Sequence, residues 1–150
     1  MGQWIYNNVA QTPETLPENV IGFIYKITHK ATGRWYIGRK NVKKTSYKTV
    51  KGKKKKVMVD SDWMTYNSSS DELKEWMKLE GDDNFVKEIL IFTYSASQTL
   101  YGEEAILYHT NALFDENCLN NNIRAKVYRK WYADKKNDQF KLDMIELKKK

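Results

Sequence analysis

The stretch "GFIYKITHKATGRWYIGRK", residues 22–40, contains two short runs rich in aromatic and β-branched residues. A segment with Thr32 and Gly33 as turn residues separates the runs, and this pattern predicts an antiparallel hairpin. Each run carries one tyrosine, Tyr25 and Tyr36. Any register whose paired residue numbers sum to an odd total places both phenols on one face. In an arbitrary hairpin, simple packing of the two rings would explain such a pair.

The rest of the chain predicts a small α+β domain. Ser69 and Glu72 fit a capping box at the start of one helix, and Ser97 is the candidate N-cap of a second. A mostly apolar run between the helices predicts a central strand. We therefore expect a central three-stranded antiparallel sheet flanked by helices. The expected strands cover residues 22–28, 34–39 and 85–93, and the expected helices cover 70–80 and 97–112.

The chain divides into three parts. Residues 1–21 hold both prolines and are expected to form an extended N-terminal arm. Residues 22–123 form the domain, which contains a basic insertion at about 41–60. Residues 124–150 are expected to form a basic C-terminal extension.

The composition is that of a basic globular protein. The 150 residues support one domain, and 26 Lys and Arg against 19 Asp and Glu give a formal net charge of +7. This charge favours a polyanionic partner, most often nucleic acid. One cysteine, Cys118, and two histidines exclude an intrachain disulfide framework and argue against a structural zinc site. With no signal-peptide or transmembrane pattern, the sequence predicts a soluble, cytoplasmic protein without membrane contact.

The insertion at 41–60 has the densest positive charge in the chain. A solvated surface loop is the ordinary explanation of a lysine run. Here Tyr47 and Val50 are interleaved with the lysines and Gly52 interrupts them, which also fits a basic hairpin along a phosphate backbone. The candidate DNA-binding residues are Lys43, Lys44, Lys48, Lys53, Lys54, Lys55 and Lys56.

An acidic pair, Glu103 and Glu104, interrupts the apolar pattern of the second predicted helix. At about 100° per residue, Leu100, Leu107 and Tyr108 define an inner face that contains Glu104 and leaves Glu103 at its edge. An inward-facing carboxylate needs a cation or a metal ion as its partner. An ordinary ion pair with one of the lysines is the alternative.

Together these residues resemble the GIY-YIG nuclease family. Ile24-Tyr25 and Tyr36-Ile37-Gly38 match the two motifs that name the family, and the second tyrosine follows the first by eleven positions, an interval common in the family. Glu104 matches the acid of the family's metal-binding helix, and Asn120 matches the asparagine that follows it. The resemblance covers Gly22 to Ile123, and "YIGRK" with the Lys- and Asn-rich composition is most similar to phage-type, homing-endonuclease-like members.

Two features depart from the family pattern. Gly22 lies one position further from Tyr25 than the first motif has it. No arginine follows the second motif at the family's usual spacing, because the basic insertion occupies that place, and none appears between Arg39 and Arg124. The charge-stabilising role would therefore pass to Arg39 and Lys40, or to one of Lys43, Lys44 and Lys48.

The resemblance implies a metal-dependent DNA endonuclease that hydrolyses phosphodiester bonds. Tyr25 would take or relay the proton of a water molecule, and Tyr36 would orient water or phosphate. Arg39 and Lys40 would stabilise the charged phosphate and lower the pKa of the phenols.

The remaining implied roles concern the metal and the partners. Glu104 would hold Mg²⁺ or Mn²⁺, and Asn120 would orient or complete that site. The expected partner is double-stranded DNA, a dimer is compatible, and the phage-type resemblance implies action inside a host cell. The alternative function is a non-catalytic nucleic-acid-binding module that retains the fold, which the missing arginine favours.

Overall fold

The computed structural model describes residues 2–124 and 126–148, and within them the chain forms nine strands and three α-helices. The strands are β1 (Trp4–Tyr6), β2 (Val9–Ala10), β3 (Gly22–His29), β4 (Trp35–Asn41), β5 (Lys43–Val50), β6 (Lys53–Asp60), β7 (Phe85–Thr93), β8 (Asn122–Ile123) and β9 (Val127–Tyr128). The helices are α1 (Asp71–Glu80), α2 (Ala96–His109) and α3 (Asp138–Lys148). None of these described helices is long and apolar enough to cross a membrane.

The central sheet has five strands in the order β2-β1-β7-β3-β4, and the expected sheet of three strands is wrong in this respect. The expected α+β class and the three antiparallel strands β7, β3 and β4 are present. The first strand, from the segment expected to be an arm, pairs in parallel with β7. Trp4 fixes it there, because its ring is buried against Phe23 and Tyr25 and its Nε1 donates to the Trp63 carbonyl over 2.7 Å.

Each face of the sheet carries its own hydrophobic core. On one face, Phe23 and Tyr25 of β3 belong to a buried cluster with Leu73 and Met77 of α1. On the other face, the buried cluster includes Ile24, Ile37 and Leu107, the last from α2. Strand β3 is therefore covered on both sides. Within the described part of the chain, β4 pairs with one strand, β3, and its other side carries only an isolated bridge between Trp35 and Cys118, so β4 is the edge strand of the sheet.

The helix caps differ slightly from the expected ones. Ser70, not Ser69, caps α1 by accepting from the Leu73 amide at 3.3 Å. Ser95, not Ser97, caps α2 by accepting from the Gln98 amide at 3.1 Å. Each helix start has more than one serine within two residues, and a sequence pattern alone does not choose among equivalent cap residues.

The basic insertion forms a separate two-stranded antiparallel hairpin, β5–β6. Its turn consists of Lys51 and Gly52, which both have positive φ values, 51° and 76°. Positive φ at both central residues is the type I′ arrangement that matches the twist of a tight hairpin. The base of the hairpin is closed by an ion pair between Lys43 and Asp60 and by a hydrogen bond from the Ser61 amide to the Val42 carbonyl over 2.8 Å.

Candidate active site

An open cleft of about 520 Å³ lies along the edge strand β4. Residues from four parts of the chain meet there: β4, the segment that precedes α1, α2, and the loop that follows α2. Because β4 is at the edge of the sheet, side chains from both of its faces reach the cleft. The lining residues are Tyr36, Arg39, Tyr66, Ser69, Ser70, Glu103, Leu107, Leu119, Asn120, Asn121, Asn122 and Arg124.

The two tyrosines lie on the same face of the sheet, as the hairpin pattern predicts. Tyr25 is paired with Gly38, and Tyr36 with Ile27, so the two rings are diagonal neighbours with centroids 6.3 Å apart. A Cβ atom on Gly38 would overlap the Tyr25 ring and hydroxyl. The glycine of the second run therefore provides the space that the first tyrosine occupies.

The two phenols differ in their access to solvent. Tyr36 lines the cleft, and its hydroxyl is 3.3 Å from the Ser69 hydroxyl. Tyr25 is completely buried, and within residues 2–124 and 126–148 its hydroxyl makes no hydrogen bond of ordinary geometry. Tyr36 is thus the phenol that can meet a substrate directly, and Tyr25 lies behind it.

Burial raises the pKa of Tyr25 and, to a smaller extent, the pKa of Tyr36. We expected Arg39 and Lys40 to lower both values, and this expectation is wrong for the protein without DNA. The physical reason is that desolvation disfavours the phenolate and that neither cation is held against a phenol oxygen. Tyr36 is also close enough to Glu103 for that carboxylate to raise its pKa further.

Arg39 and Lys40 point to opposite faces of β4 because successive residues of a strand alternate. Arg39 lines the cleft, where its Nε atom lies 4.0 Å from a carboxylate oxygen of Glu103. Lys40 instead donates to Asp62 over 2.6 Å, and its Nζ atom lies 4.1 Å from the ring centroid of Tyr66. Of the two cations, the structure brings only Arg39 into the cleft.

The helical phase of α2 differs from the expected one. Its buried residues are Thr99, Gly102 and Leu107, whereas Tyr108, expected on the inner face, is 54% exposed. The buried face is rotated because Gly102 packs closely on the sheet, where an added Cβ atom would lie only 3.2 Å from the side chains of Ile24 and Ile91.

This rotation exchanges the positions expected for the two acids. Glu103 lines the cleft with its side chain 19% exposed, and burial raises its pKa. Glu104 is 29% exposed and pairs with Arg124, whose Nε atom lies 3.5 Å away. The ordinary ion pair considered for Glu104 is therefore present, although its partner is an arginine.

Asn120 is brought to the cleft, and its side chain is already fully engaged. Its Oδ1 atom accepts from the Ile37 amide at 2.9 Å, and its Nδ2 atom donates to the Ile37 carbonyl at 2.8 Å. Ile37 lies between Tyr36 and Gly38 on β4. Asn120 thus fixes the strand that carries the second tyrosine. Its Oδ1 atom also accepts from the Cys118 thiol at 3.3 Å, so both lone pairs of this oxygen are used within the protein.

A comparison with protein families agrees with this geometry. Residues 4–134 match the family model described as "Putative endonuclease segE, GIY-YIG domain". The chain belongs to the GIY-YIG endonuclease family. The match includes β1, which was expected to be part of an arm, and the first part of the expected C-terminal extension. Neither a curated protein nor a solved structure matches the chain significantly.

Two arginines of this GIY-YIG domain were missed by sequence reasoning as site residues. Arg124 lines the cleft next to Glu104, and it is the first arginine after Arg39 in the sequence, which was the available signal. Arg129 donates through its guanidinium to backbone carbonyls on both sides of the loop that carries Asn120, including those of Ala112, Cys118 and Asn120. No local pattern distinguishes this half-buried arginine from the other cations of the extension.

The chemistry of the GIY-YIG cleft fits a hard divalent cation. Among the described residues, no three His, Cys, Asp or Glu side chains are grouped as ligands. Mg²⁺ often takes only one or two protein carboxylates and completes its shell with water and substrate phosphate. The partly desolvated carboxylate of Glu103, in a polar cleft that is open to substrate, suits that mode of binding.

Proposed function

We propose that this chain is a metal-dependent endonuclease that hydrolyses phosphodiester bonds of double-stranded DNA. The observation that supports it best is that one cleft on β4 contains Tyr36, Arg39 and Glu103, with the buried Tyr25 directly behind. Hydrolysis of a phosphodiester requires proton transfer from water, stabilisation of negative charge and help for the leaving oxygen. The four residues supply these functions, and membership of an endonuclease family agrees with them.

In the proposed mechanism, Tyr36 contacts the attacking water or the scissile phosphate through its hydroxyl. Tyr25 would relay the proton behind it: its oxygen accepts the proton of the water while its own hydroxyl proton passes on, by way of Tyr36, to a phosphate oxygen of the substrate, so that the phenol is neutral before and after. This relay would give the buried Tyr25 hydroxyl the hydrogen-bond partner that the isolated structure does not provide. Because the pKa values of both phenols are raised, these groups act as neutral proton carriers at neutral pH rather than as standing phenolates.

Arg39 would stabilise the negative charge that grows on the phosphate, since it is the cation of β4 that faces the cleft. Lys40 would act at a distance by fixing Tyr66, which also lines the cleft. Arg124 is a second candidate for phosphate contact. Asn120 would position Tyr36 and Gly38 through the Ile37 backbone rather than touch the reacting atoms.

Glu103 would hold Mg²⁺ or Mn²⁺, with Glu104 as the alternative ligand favoured by the sequence pattern. A hard divalent cation bound there would neutralise charge on the phosphate and assist the leaving oxygen. The lysines of the β5–β6 hairpin would contribute affinity for the DNA backbone and take no part in the chemistry. They are Lys43, Lys44, Lys48, Lys53, Lys54, Lys55 and Lys56.

The test is cleavage of supercoiled plasmid in Mg²⁺ and in EDTA, with Glu103→Gln and its neighbour Glu104→Gln as a matched pair. We expect cleavage by the wild type in Mg²⁺ only, and a loss of about 100-fold or more in Tyr36→Phe and Glu103→Gln. Glu104→Gln should keep most of its activity, and circular dichroism checks that each variant is folded.

Three results would contradict parts of this proposal. DNA binding without cleavage under any metal condition would leave the non-catalytic module as the function. Full cleavage in EDTA would show that the reaction does not require a divalent metal ion. An inactive Glu104→Gln together with an active Glu103→Gln would show that Glu104, not Glu103, is the metal ligand.

A further inference from the structure

The β5–β6 hairpin has two faces of different chemistry, which follow from its register. Residues paired across the strands share a face, and pairs alternate between the two faces. We define the lysine face by its four cations, Lys44, Lys48, Lys53 and Lys55, which are accompanied by valines. We define the mixed face by Thr45, Tyr47, Thr49, Lys54, Lys56 and Met58, and the ion pair of Lys43 and Asp60 lies on the same face at the base of the hairpin.

Neither face is covered by the rest of the domain. Tyr47 and Met58 on the mixed face are 68% and 53% exposed, and Val50 on the lysine face is 42% exposed. A two-stranded hairpin without a partner is only marginally stable in water. On the lysine face, Lys48 is directly opposite Lys55, and like charges in that position repel each other. The exposed apolar side chains indicate that the hairpin binds a partner, and the opposed lysines indicate that this partner is anionic.

The dimensions of the hairpin suit a DNA groove. Its eight-residue strands have a length of roughly 27 Å at about 3.4 Å per residue. The major groove, about 12 Å wide, admits a two-stranded ribbon, and this length corresponds to roughly eight base pairs. The four cations of the lysine face divide evenly between the two strands. A ribbon in the groove can therefore direct two lysines to each of the bordering phosphate backbones.

The hairpin is also fixed relative to the cleft. It continues directly from β4, and Lys43 is four residues after Arg39. The Val42 amide donates to the Ile21 carbonyl over 2.7 Å, and Ser61 donates through its hydroxyl to the Asn41 carbonyl over 2.5 Å. The tie between Lys40 and Asp62 closes the same junction on the other side. One duplex can consequently contact both the cleft and the hairpin.

We propose that the hairpin lies in the major groove of the DNA, with its mixed face on the base edges and its lysine face towards the phosphates. The threonine hydroxyls and the Tyr47 phenol are donors and acceptors for base edges, and Met58 offers an apolar contact for the thymine methyl group. Lys54 and Lys56 can donate to guanine O6 and N7. The mixed face then selects sequence, and the lysine face supplies salt-dependent affinity. The link to cleavage rests on the proposed function, whereas the groove contact does not.

The experiment measures DNA binding without divalent metal, so that a failure of cleavage leaves it unaffected. A library of random duplexes is selected with the wild type, with Tyr47→Ala/Thr49→Ala, and with Lys48→Gln/Lys55→Gln as the matched variant of the other face. Affinity is then measured against salt concentration, and guanine N7 methylation interference reports contacts in the major groove. Thermal unfolding shows that all three proteins are folded.

We expect N7 methylation to inhibit wild-type binding at discrete positions. The mixed-face variant should lose about tenfold or more of its preference for the selected sequence and keep the salt slope of the wild type. The lysine-face variant should bind all sequences more weakly and lose about 1.8 from the slope of log K against log salt. Unchanged sequence selection in the mixed-face variant would overturn the assignment of the faces. If N7 methylation does not interfere with binding, or if both variants keep the wild-type slope of log K against log salt, the hairpin does not lie in the major groove and is an ordinary solvated surface element.

Discussion

The cleft and the β5–β6 hairpin both contain charged and aromatic groups but hold them in opposite ways. In the cleft, Asn120 and Arg129 fix the backbone, and Tyr25 is enclosed between two strands and α1. In the hairpin, side chains on both faces are exposed to solvent. Catalysis requires groups that are already in position, whereas binding to a flexible polyanion tolerates long and mobile lysines. Substitutions around the cleft should therefore lower the stability of the fold, whereas substitutions in the hairpin should lower the affinity for DNA.

The largest effect on stability is expected for Gly38→Ala. The added methyl group would overlap the Tyr25 ring, which is buried between the sheet and α1 and has no free volume to enter. We expect a loss of about 4 kcal/mol in the free energy of unfolding, measured in urea, and loss of cleavage. Gly52→Ala in the hairpin turn is the comparison variant, because its Cβ meets no neighbouring atom and its cost, about 1 kcal/mol, comes only from the positive φ of that position. Because Gly38 does not have a positive φ, a loss in Gly38→Ala no larger than that in Gly52→Ala would contradict the overlap with Tyr25.

Arg129→Ala should cost about 3 kcal/mol in the free energy of unfolding. The substitution leaves several partly buried carbonyls without a donor and releases the loop that carries Asn120. Arg129→Lys should recover less than half of the loss, because one ammonium group does not reproduce the planar fork of the guanidinium. Chemical denaturation of the three proteins measures both values. An Arg129→Ala variant as stable as the wild type would show that the loop that carries Asn120 keeps its conformation without the guanidinium.

Lys87 provides a lysine in the core for comparison with the lysines of the hairpin. It is 2% exposed, donates to Asn67 over 2.8 Å and lies over the Trp4 ring, and burial lowers its pKa to about 8. In the unfolded chain its pKa is higher, so the unfolded state binds more protons above pH 8 and this group makes stability rise with pH. Below about pH 8, the cost of burying the charge is fully present.

We therefore expect the free energy of unfolding of the wild type to rise by roughly 2 kcal/mol between about pH 7.5 and 9.5, relative to Lys87→Met. Subtraction of the variant removes the contributions of other groups that titrate in this range, such as the tyrosines. The measurement is a series of urea titrations at several pH values. Parallel curves for the two proteins would mean that folding does not lower the pKa of Lys87.

The smallest effect on stability is expected for the hairpin. Replacement of Lys53, Lys54, Lys55 and Lys56 by glutamine should change the free energy of unfolding by less than about 0.5 kcal/mol, since all four side chains are exposed. The same variant should bind DNA at least about tenfold more weakly and show a flatter salt dependence, while high enzyme concentrations restore cleavage. A large loss of stability would mean that this ribbon packs against the domain in solution.

The sequence predicts well those features that repeat along the chain. The alternation in residues 22–40 gives the hairpin of β3 and β4 and the shared face of Tyr25 and Tyr36, and the family resemblance is confirmed. Prediction from the sequence fails where a single contact between residues distant in the chain determines the local structure. Trp4 makes a three-residue segment into a strand because its ring enters the core, and no periodicity is visible in three residues.

The acids of α2 show the same limitation within one helix. Leu100 and Leu107 predict the buried side only to within one residue, and the close packing of Gly102 on Ile24 sets the actual rotation. A small residue gives a weak hydrophobic signal although it determines how near the helix lies to the sheet. The same reasoning explains why Asn120 is predicted at the site while its bonds to the Ile37 backbone are not.

The two ends of the β5–β6 hairpin lie next to each other, since the Ser61 amide donates to the Val42 carbonyl. An element attached through adjacent ends can be exchanged for a longer, shorter or differently composed one at little cost in loop-closure entropy. Grafting a new hairpin between Val42 and Ser61 would then leave the cleft unchanged while replacing the surface that meets the DNA. The junction is for this reason a natural place at which to engineer new recognition into the domain.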